Sequence, residues 1–226
     1  MVSHPTGQRL RSTSMTADAR RDPRLVTSGP STGARAVVLL LHGGRAAGAE
    51  PARRGLAYLR MAPFARSLRH ATRGRDVAVW LLRYRVQGWN EPMLHPVEDA
   101  RWALDEARRQ HPDAPIVLVG HSMGGRVALR LATEPGVVGV CALAPWVEGD
   151  EPSPQGGTGT GTVLVAHGDA DRVTDPAASA AYAARIGATF VPVPGEGHAM
   201  LRRPIFWNRL VTAYVTTTLH LAPTRG

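Results

Sequence analysis

The sequence lacks features that several classes of protein require. It has one cysteine, Cys141, so no internal disulfide can form. It has no run of about 18 or more consecutive apolar residues, the minimum for a membrane span. Its first residues are polar and lack the apolar core of a secretory signal. We therefore expect a cytoplasmic protein with no membrane partner.

Lysine is absent as well, so all 27 Lys+Arg residues are arginines, and the formal net charge is +9 at pH 7. This usage is more typical of a G+C-rich coding sequence than of a phosphate-binding surface. The densest basic stretch, 53–75, has apolar residues at roughly helical spacing, which indicates a helix with a solvated basic face. Basic residues interleaved with aromatic ones are not seen, so we expect no nucleic-acid partner.

The chain changes character after its first 34 residues. Residues 1–34 are rich in Ser, Thr, Gly, Pro and Arg without apolar periodicity, which predicts a flexible N-terminal leader. Residues 35–226 are predicted to form one domain, in which short apolar runs alternate with segments of helical periodicity. The predicted strands are 36–41, 77–82, 116–119, 137–143, 163–166 and 189–193. This alternation predicts an α/β fold with a single doubly wound, mostly parallel sheet of about six strands and helices on both faces.

The strongest motif is Gly-His-Ser-Met-Gly-Gly at 120–125, which follows a predicted strand directly and opens a predicted helix. A serine on such a sharp turn lies in strained φ/ψ space, and Gly120 and Gly124 relieve crowding between strand and helix. The start of the helix directs backbone N–H groups at a developing oxyanion. The motif indicates a nucleophile elbow at Ser122, although taken alone it also fits a glycine-rich turn that a serine caps.

A serine nucleophile needs a base, and the base needs a carboxylate to orient it. Downstream of Ser122, one predicted strand leads into His-Gly-Asp-Ala-Asp at 167–171, and the last leads into Gly-Glu-Gly-His at 195–198. The order along the chain is therefore Ser, Asp, His, each just past a strand. Because the carboxyl ends of parallel strands meet at one edge of a sheet, we expect these loops to converge.

Three acids compete for the orienting role. Asp175 precedes a proline and an Ala-rich helix, which favours a helix N-cap, and Asp169 fits a role in shaping its turn. Asp171 remains open either to the orienting role or to a surface ion pair with an arginine. Several His and Asp residues gather at this edge, but their spacing is not that of a metal site, so we expect no metal.

The histidines are separated by their positions. Only His198 follows the acids on a glycine-flanked loop after a strand, although an ordinary surface histidine is the alternative reading. His42 and His167 end strands before a glycine and are predicted to be structural. His121 is expected to point away from Ser122, because successive side chains diverge there.

Taken together, these motifs resemble the α/β-hydrolase fold, in particular small lidless serine esterases and dienelactone-hydrolase-like proteins. The resemblance implies that Ser122 is the nucleophile, Asp171 the acid and His198 the base. The matching segments are 41–44, 120–125, 167–173 and 195–198. Two departures are visible: the two strands that open the family's sheet have no clear counterpart, which implies a reduced fold, and dienelactone hydrolases proper have a cysteine where this chain has Ser122.

The predicted function is hydrolysis of a small or medium carboxylic ester through an acyl-enzyme, with a small-molecule acyl substrate and no cofactor. The oxyanion hole is expected to use the backbone N–H groups of Met123 and Gly44, with Arg45 as the near alternative. Residues 144–162 are too short for a helical lid, so an open site is expected. A thioesterase, a lyase, cyclase or acyltransferase, and a non-catalytic binding protein remain as alternatives on this fold, and the oligomeric state stays open.

Overall fold

The structure of the protein, a computed structural model, describes residues 22–52, 54–153 and 161–221. Its strands are β1 (Arg24–Ser28), β2 (Ala36–Leu41), β3 (Val77–Arg83), β4 (Ile116–His121), β5 (Val137–Leu143), β6 (Thr162–Gly168) and β7 (Thr189–Val193). They form one sheet of 7 strands in the order β1-β3-β2-β4-β5-β6-β7. β1 runs antiparallel to β3, and every other neighbouring pair is parallel. The predicted mostly parallel sheet is confirmed.

Helices cover both faces of this sheet, as predicted. In the described ranges they are α1 (Leu56–Leu59), α2 (Ala62–Ala71), α3 (His95–Gln110), α4 (Met123–Arg130), α5 (Pro176–Arg185) and α6 (Pro204–Thr218). α3, α4 and α5 bury their apolar residues on one face, and α1, α2 and α6 bury theirs on the other. β2 and β4 are buried along their whole length, which explains their continuous apolar sequences. None of these helices combines the length and apolar character that crossing a bilayer requires.

The sheet has 7 strands rather than about six, because residues 24–28 form β1. The prediction of a flexible leader is therefore wrong for this stretch, which pairs with β3 along its whole length. As an edge strand, β1 has only exposed and half-buried residues, so it lacks the apolar run that identified the central strands. The rest of the predicted leader, residues 1–21, lies outside the described residues.

The described part of the basic stretch forms two helices instead of one. Pro63 lies in the first turn of α2, where proline favours the start of a new helix. Phe64 and Leu68 are buried, as their spacing predicts, but Leu56 and Leu59 of α1 are 80% and 51% exposed. The helical periodicity therefore holds for α2 and fails for α1, which lies at the carboxyl edge of the sheet.

A buried cluster of charges fixes α4 to the loop that follows β5. The Arg126 side chain is 3% exposed and forms an ion pair with Glu151, whose carboxylate is fully buried and also pairs with Arg130. The Arg126 guanidinium lies 4.5 Å from the ring centroid of Trp89 and 4.7 Å from that of Trp146. Each buried charge thus has a hydrogen-bonded partner, which offsets its loss of hydration.

We predict that Glu151→Gln lowers the free energy of unfolding by about 3 kcal/mol, because it leaves two arginines of α4 without their buried carboxylate partner. Glu148→Gln is the matched control, since Glu148 also pairs with Arg126 but its side chain is 48% exposed. The control should lose less than about 1 kcal/mol. Urea unfolding followed by circular dichroism measures both variants, and equal losses would contradict a structural role for the buried pair.

Candidate active site

Ser122 lies on a sharp turn between β4 and α4, with φ of 56° and ψ of −120°. Such a conformation is strained for any residue with a side chain and persists only where the surroundings impose it. Two close backbone approaches impose it here. A Cβ at Gly120 would collide with the Gly124 backbone, and a Cβ at Gly124 would collide with the Leu41 carbonyl. The predicted elbow geometry is therefore present, with its glycines at the required positions.

The three predicted triad side chains lie in one hydrogen-bonded chain. The Ser122 Oγ is 3.1 Å from His198 Nε2, and His198 Nδ1 is 2.8 Å from Asp171 Oδ2. With Nδ1–H donating to Asp171, Nε2 is free to accept the Ser122 hydroxyl proton. The Asp171 carboxylate is fully buried, whereas the His198 side chain is 16% exposed and reaches solvent.

The Asp171 carboxylate has more partners than a triad requires. Its Oδ1 accepts from the backbone N–H groups of Val173 and Thr174, and its Oδ2 accepts from the Thr174 hydroxyl at 2.9 Å. A second imidazole, that of His167, donates to the same Oδ2 from Nε2 at 3.0 Å. Burial alone would raise the pKa of Asp171, but the hydrogen bonds from the Val173 and Thr174 N–H groups, the His198 ring and the Thr174 hydroxyl outweigh it and lower the pKa to about 2. The acid therefore stays ionised.

His167 connects the acid to α5. Its Nδ1 lies 2.8 Å from the Ser179 hydroxyl, and burial lowers the pKa of the ring. The neutral ring therefore accepts from Ser179 at Nδ1 and donates to Asp171 at Nε2. The structural role predicted for His167 is present, but the residue it holds is the proposed acid itself. Sequence reasoning did not connect His167 or Thr174 to Asp171; for Thr174, the Asp-x-x-Thr spacing at 171–174 is the one available signal.

A second buried carboxylate, Glu196, shapes the loop that carries His198. It accepts hydrogen bonds from the backbone N–H groups of Gly197, Arg202 and Arg203 and from the indole N–H of Trp207. These contacts tie the loop to the start of α6. Sequence reasoning missed this role, because Glu196 is separated from most of its donors by several residues and only the folded loop brings them together.

His121, which the sequence predicts to point away from Ser122, contacts the loop that carries His198. Its Nε2 donates to the His198 carbonyl oxygen at 2.9 Å, and the two imidazole rings lie 4.8 Å apart. The loop that carries His198 therefore lies against the His121 ring. Burial, assisted by the nearby His198, lowers the pKa of His121 to about 3. His121 therefore supports His198 as a neutral donor.

The loop that carries one predicted oxyanion donor, Gly44, contacts the side chain of the residue that carries the other, Met123. A Cβ at Gly44 would collide with the Met123 side chain, so the loop after β2 and the start of α4 are in contact. Among the described residues, the N–H groups of Gly44 and Met123 have no intramolecular acceptor, whereas the alternative, Arg45, donates its N–H to the Gln87 carbonyl at 2.9 Å. Only the first two are therefore available to a ligand.

The competing acids have other partners. Asp175 caps α5 by accepting from the Ala177 N–H, as predicted. Asp169 accepts a hydrogen bond from the Gly195 N–H at 2.7 Å and thereby connects the loop after β6, which carries Asp171, to the loop after β7, which carries His198. Trp146, in the loop after β5, donates its backbone N–H to the Ser122 carbonyl oxygen.

A cavity of about 320 Å³ lies against the loop after β2 and is lined by His42, Gly43, Gly44, Arg45, Ala52, Gly55, Leu56, Ala57, Tyr58 and Gln87. Since a Cβ at Gly43 would be 3.3 Å from the Ser122 Cβ, this cavity adjoins the serine. A larger groove of about 900 Å³ lies between α2 and α6. No triad residue lines either cavity, but only the smaller one is lined by Gly43, the neighbour of Ser122. Of these two cavities, the smaller is therefore the nearer to a group bonded to the serine.

The family model described as the alpha/beta hydrolase family matches residues 38–159 of this chain, which is more than half of it. The fold and the family match define a protein of the hydrolase class. The chain belongs to the alpha/beta hydrolase family. No curated protein matches the chain.

Several solved structures share the fold. A serine hydrolase without a lid from Xanthomonas campestris is 22% identical, with 89% of this chain and 91% of that chain covered and a TM-score of 0.66. A serine hydrolase homologue from Coxiella burnetii is 19% identical, with coverage of 84% and 90% and a TM-score of 0.63. Est1E from Butyrivibrio proteoclasticus is 14% identical, with coverage of 88% and 95% and a TM-score of 0.65.

The lowered pKa of His121 predicts an acid-sensitive fold. Between its ordinary value of 6.5 and its folded value of about 3, the unfolded chain binds a proton that the folded protein excludes. The free energy of unfolding should therefore fall as pH drops through this window, by about 1.4 kcal/mol per pH unit for this one proton. Urea unfolding between pH 7 and about 4.5 should show a shallower slope for His121→Gln. The exposed control His70→Gln should keep the wild-type slope, and an unchanged slope in His121→Gln would contradict the assignment.

Proposed function

We propose that the protein is a serine hydrolase that cleaves a small or medium carboxylic ester through a covalent acyl-enzyme. The observation that carries this proposal is the continuous chain of hydrogen bonds from Ser122 through His198 to the buried Asp171. If His198 were an ordinary surface histidine and Ser122 a structural serine, nothing would require a buried carboxylate, itself held by several hydrogen-bond donors, next to the histidine. The cavity of about 320 Å³ beside the serine favours a short acyl group.

In the proposed mechanism, the Ser122 Oγ attacks the ester carbonyl carbon while its proton moves to His198 Nε2. The imidazolium then gives this proton to the leaving alkoxide, and the acyl group remains on the serine. Water attacks the acyl-enzyme with His198 again as the base, which releases the carboxylic acid and restores the serine. Asp171, ionised because its pKa is about 2, holds the Nδ1–H tautomer and stabilises the imidazolium. These steps require no cofactor.

The negative charge that develops on the carbonyl oxygen is assigned to the N–H groups of Gly44 and Met123. Both lack an intramolecular acceptor among the described residues, and Met123 is the first residue of α4, where the helix dipole adds to the stabilisation. A thioester would follow the same steps with a thiolate as the leaving group, so the triad by itself does not separate the two substrate classes.

The first experiment is labelling with a fluorophosphonate probe, followed by mass spectrometry of the modified peptide. We predict modification at Ser122, none in Ser122→Ala, and labelling slowed by about a thousandfold or more in His198→Ala. The exposed histidine variant His70→Ala is the matched control and should label like the wild type. An absence of labelling in the folded wild-type protein would contradict the proposal and favour a non-catalytic binding protein.

We further propose that His167 is a positioning residue that acts through Asp171. His167→Phe removes one charge-assisted hydrogen bond from the carboxylate, so kcat/KM for 4-nitrophenyl acetate should fall about ten- to a hundredfold, mainly through kcat. His167→Gln keeps an N–H donor and should recover part of the rate. Thermal unfolding of both variants separates this effect from a loss of fold. Equal losses in both variants, or a loss that simply follows Tm, would contradict a positioning role.

A further inference from the structure

Three arginines meet at the edge of the sheet where β1 pairs with β3. Arg24 and Arg83 are direct cross-strand partners in the antiparallel pair. Arg54, from the loop before α1, joins them, and all three line one cavity of about 120 Å³. The other lining residues are Leu25, Val26 and Tyr58. Like charges directly opposite each other destabilise a strand pair, so this arrangement works against the fold unless something compensates it.

Nothing in the described part of the chain supplies that compensation. No carboxylate lines the cavity, and none of Arg24, Arg54 and Arg83 forms an ion pair with a described residue. Arginines elsewhere do find acids: Arg85 pairs with Asp99, and Arg101 with Glu134. The cluster is distinguished by its geometry, since three arginines without an ion pair to a described residue line one cavity and two of them are direct cross-strand partners.

The cluster lies on the same side of the molecule as the proposed active site. Tyr58 lines both this cavity and the cavity of about 320 Å³ beside Ser122. His42 is the first residue of the loop after β2, which contains Gly44. Burial lowers the pKa of His42 to about 4, and the positive charge of Arg83 also lowers it. The sheet order β4-β2-β3-β1 and a strand spacing of about 4.8 Å place the backbones of Arg83 and Arg24 roughly 10–15 Å across the sheet from the strand that leads to the serine.

We propose that Arg24, Arg54 and Arg83 form a binding site for a phosphate group. Guanidinium groups present planar pairs of N–H donors that match the oxygens of phosphate, and three of them suit a dianion better than a single carboxylate. The cavity is about four times the roughly 30 Å³ that one water takes up in the liquid, which is enough for one phosphate group.

Tyr58 lines both the arginine cavity and the cavity beside Ser122, so one substrate molecule can occupy both. We therefore assign the phosphate group to the substrate. This part of the inference rests on the proposed function. It names the substrate class as an ester or thioester whose phosphate lies roughly 10–15 Å from the acyl carbonyl carbon, the span set by the strand spacing. A separate phosphate-bearing ligand is the other source, and it would use the same arginines.

Binding of inorganic pyrophosphate, measured by calorimetry at ionic strength held constant with chloride, tests the site itself. Arg24→Gln/Arg83→Gln should weaken binding at least tenfold. Arg69→Gln/Arg73→Gln removes the same charge from exposed arginines outside the cavity and should bind like the wild type. The free protein offers a second readout: removing either member of the cross-strand pair should raise Tm, because the repulsion is relieved.

Two thioesters identify the source of the phosphate. Acetyl-coenzyme A carries phosphates, and the acetyl thioester of N-acetylcysteamine has the same reacting group without them. If the phosphate is part of the substrate, the kcat/KM ratio of the first to the second should fall at least tenfold in Arg24→Gln/Arg83→Gln and stay unchanged in the control pair. An unchanged ratio together with lost pyrophosphate binding keeps the phosphate site and overturns its assignment to the substrate.

The phosphate site is overturned if wild-type protein does not bind pyrophosphate at millimolar concentration, or if both double variants lose binding equally. It is also overturned if the single variants lower Tm, since the arginines would then be structural. Ser122→Ala should bind pyrophosphate like the wild type. A failure of the hydrolase proposal, seen as absent fluorophosphonate labelling, is therefore distinguishable from a failure of the phosphate site.

Discussion

The close approach of β4, α4 and the end of β2 is the constraint on which the rest of the site depends. Gly120 faces the Gly124 backbone and Gly124 faces the Leu41 carbonyl, each at a distance that admits no side chain. These contacts hold Ser122 at positive φ, above the carboxyl edge of the sheet. They also bring the loop that contains Gly44 against Met123. One packing arrangement thus places both the proposed nucleophile and the two N–H groups proposed to bind the oxyanion.

Asp171 is the second fixed point, and its surroundings explain why the site tolerates a buried charge. Five donors converge on its two oxygens, from His198, His167, Thr174 and the backbone at 173 and 174. A carboxylate so well satisfied has little tendency to take a proton from the imidazole in front of it, so the proton of the reaction stays on His198. Glu196 plays a similar part in the loop that carries His198, because its buried carboxylate accepts hydrogen bonds from several backbone N–H groups there.

Much of the fold and of the candidate site could be predicted from the sequence, because both depend on local sequence patterns. The buried strands are continuous apolar runs, and Ser122, Asp171 and His198 each follow a strand, so topology alone brings them to one edge. β1 could not be found this way, since an edge strand has no apolar run. The contacts of His121, Glu196 and His167 depend on how separate loops fold over one another, which no spacing in the chain encodes. The roles of the triad residues remain predictions that labelling will test.

The positive charge of the protein has different consequences on the general surface and at the Arg24–Arg83 pair. An excess of arginine spread over a surface fixes neither fold nor partner. Arg24 and Arg83 differ because the register of β1 on β3 holds them opposite each other, where their repulsion opposes folding. A bound dianion would reverse the sign of that interaction. The sequence pattern assigns β1 to a flexible leader. In the proposed site, its first residue, Arg24, contributes to phosphate binding near Ser122, although it destabilises the ligand-free fold. Free and ligand-bound protein should accordingly respond in opposite directions to loss of either arginine.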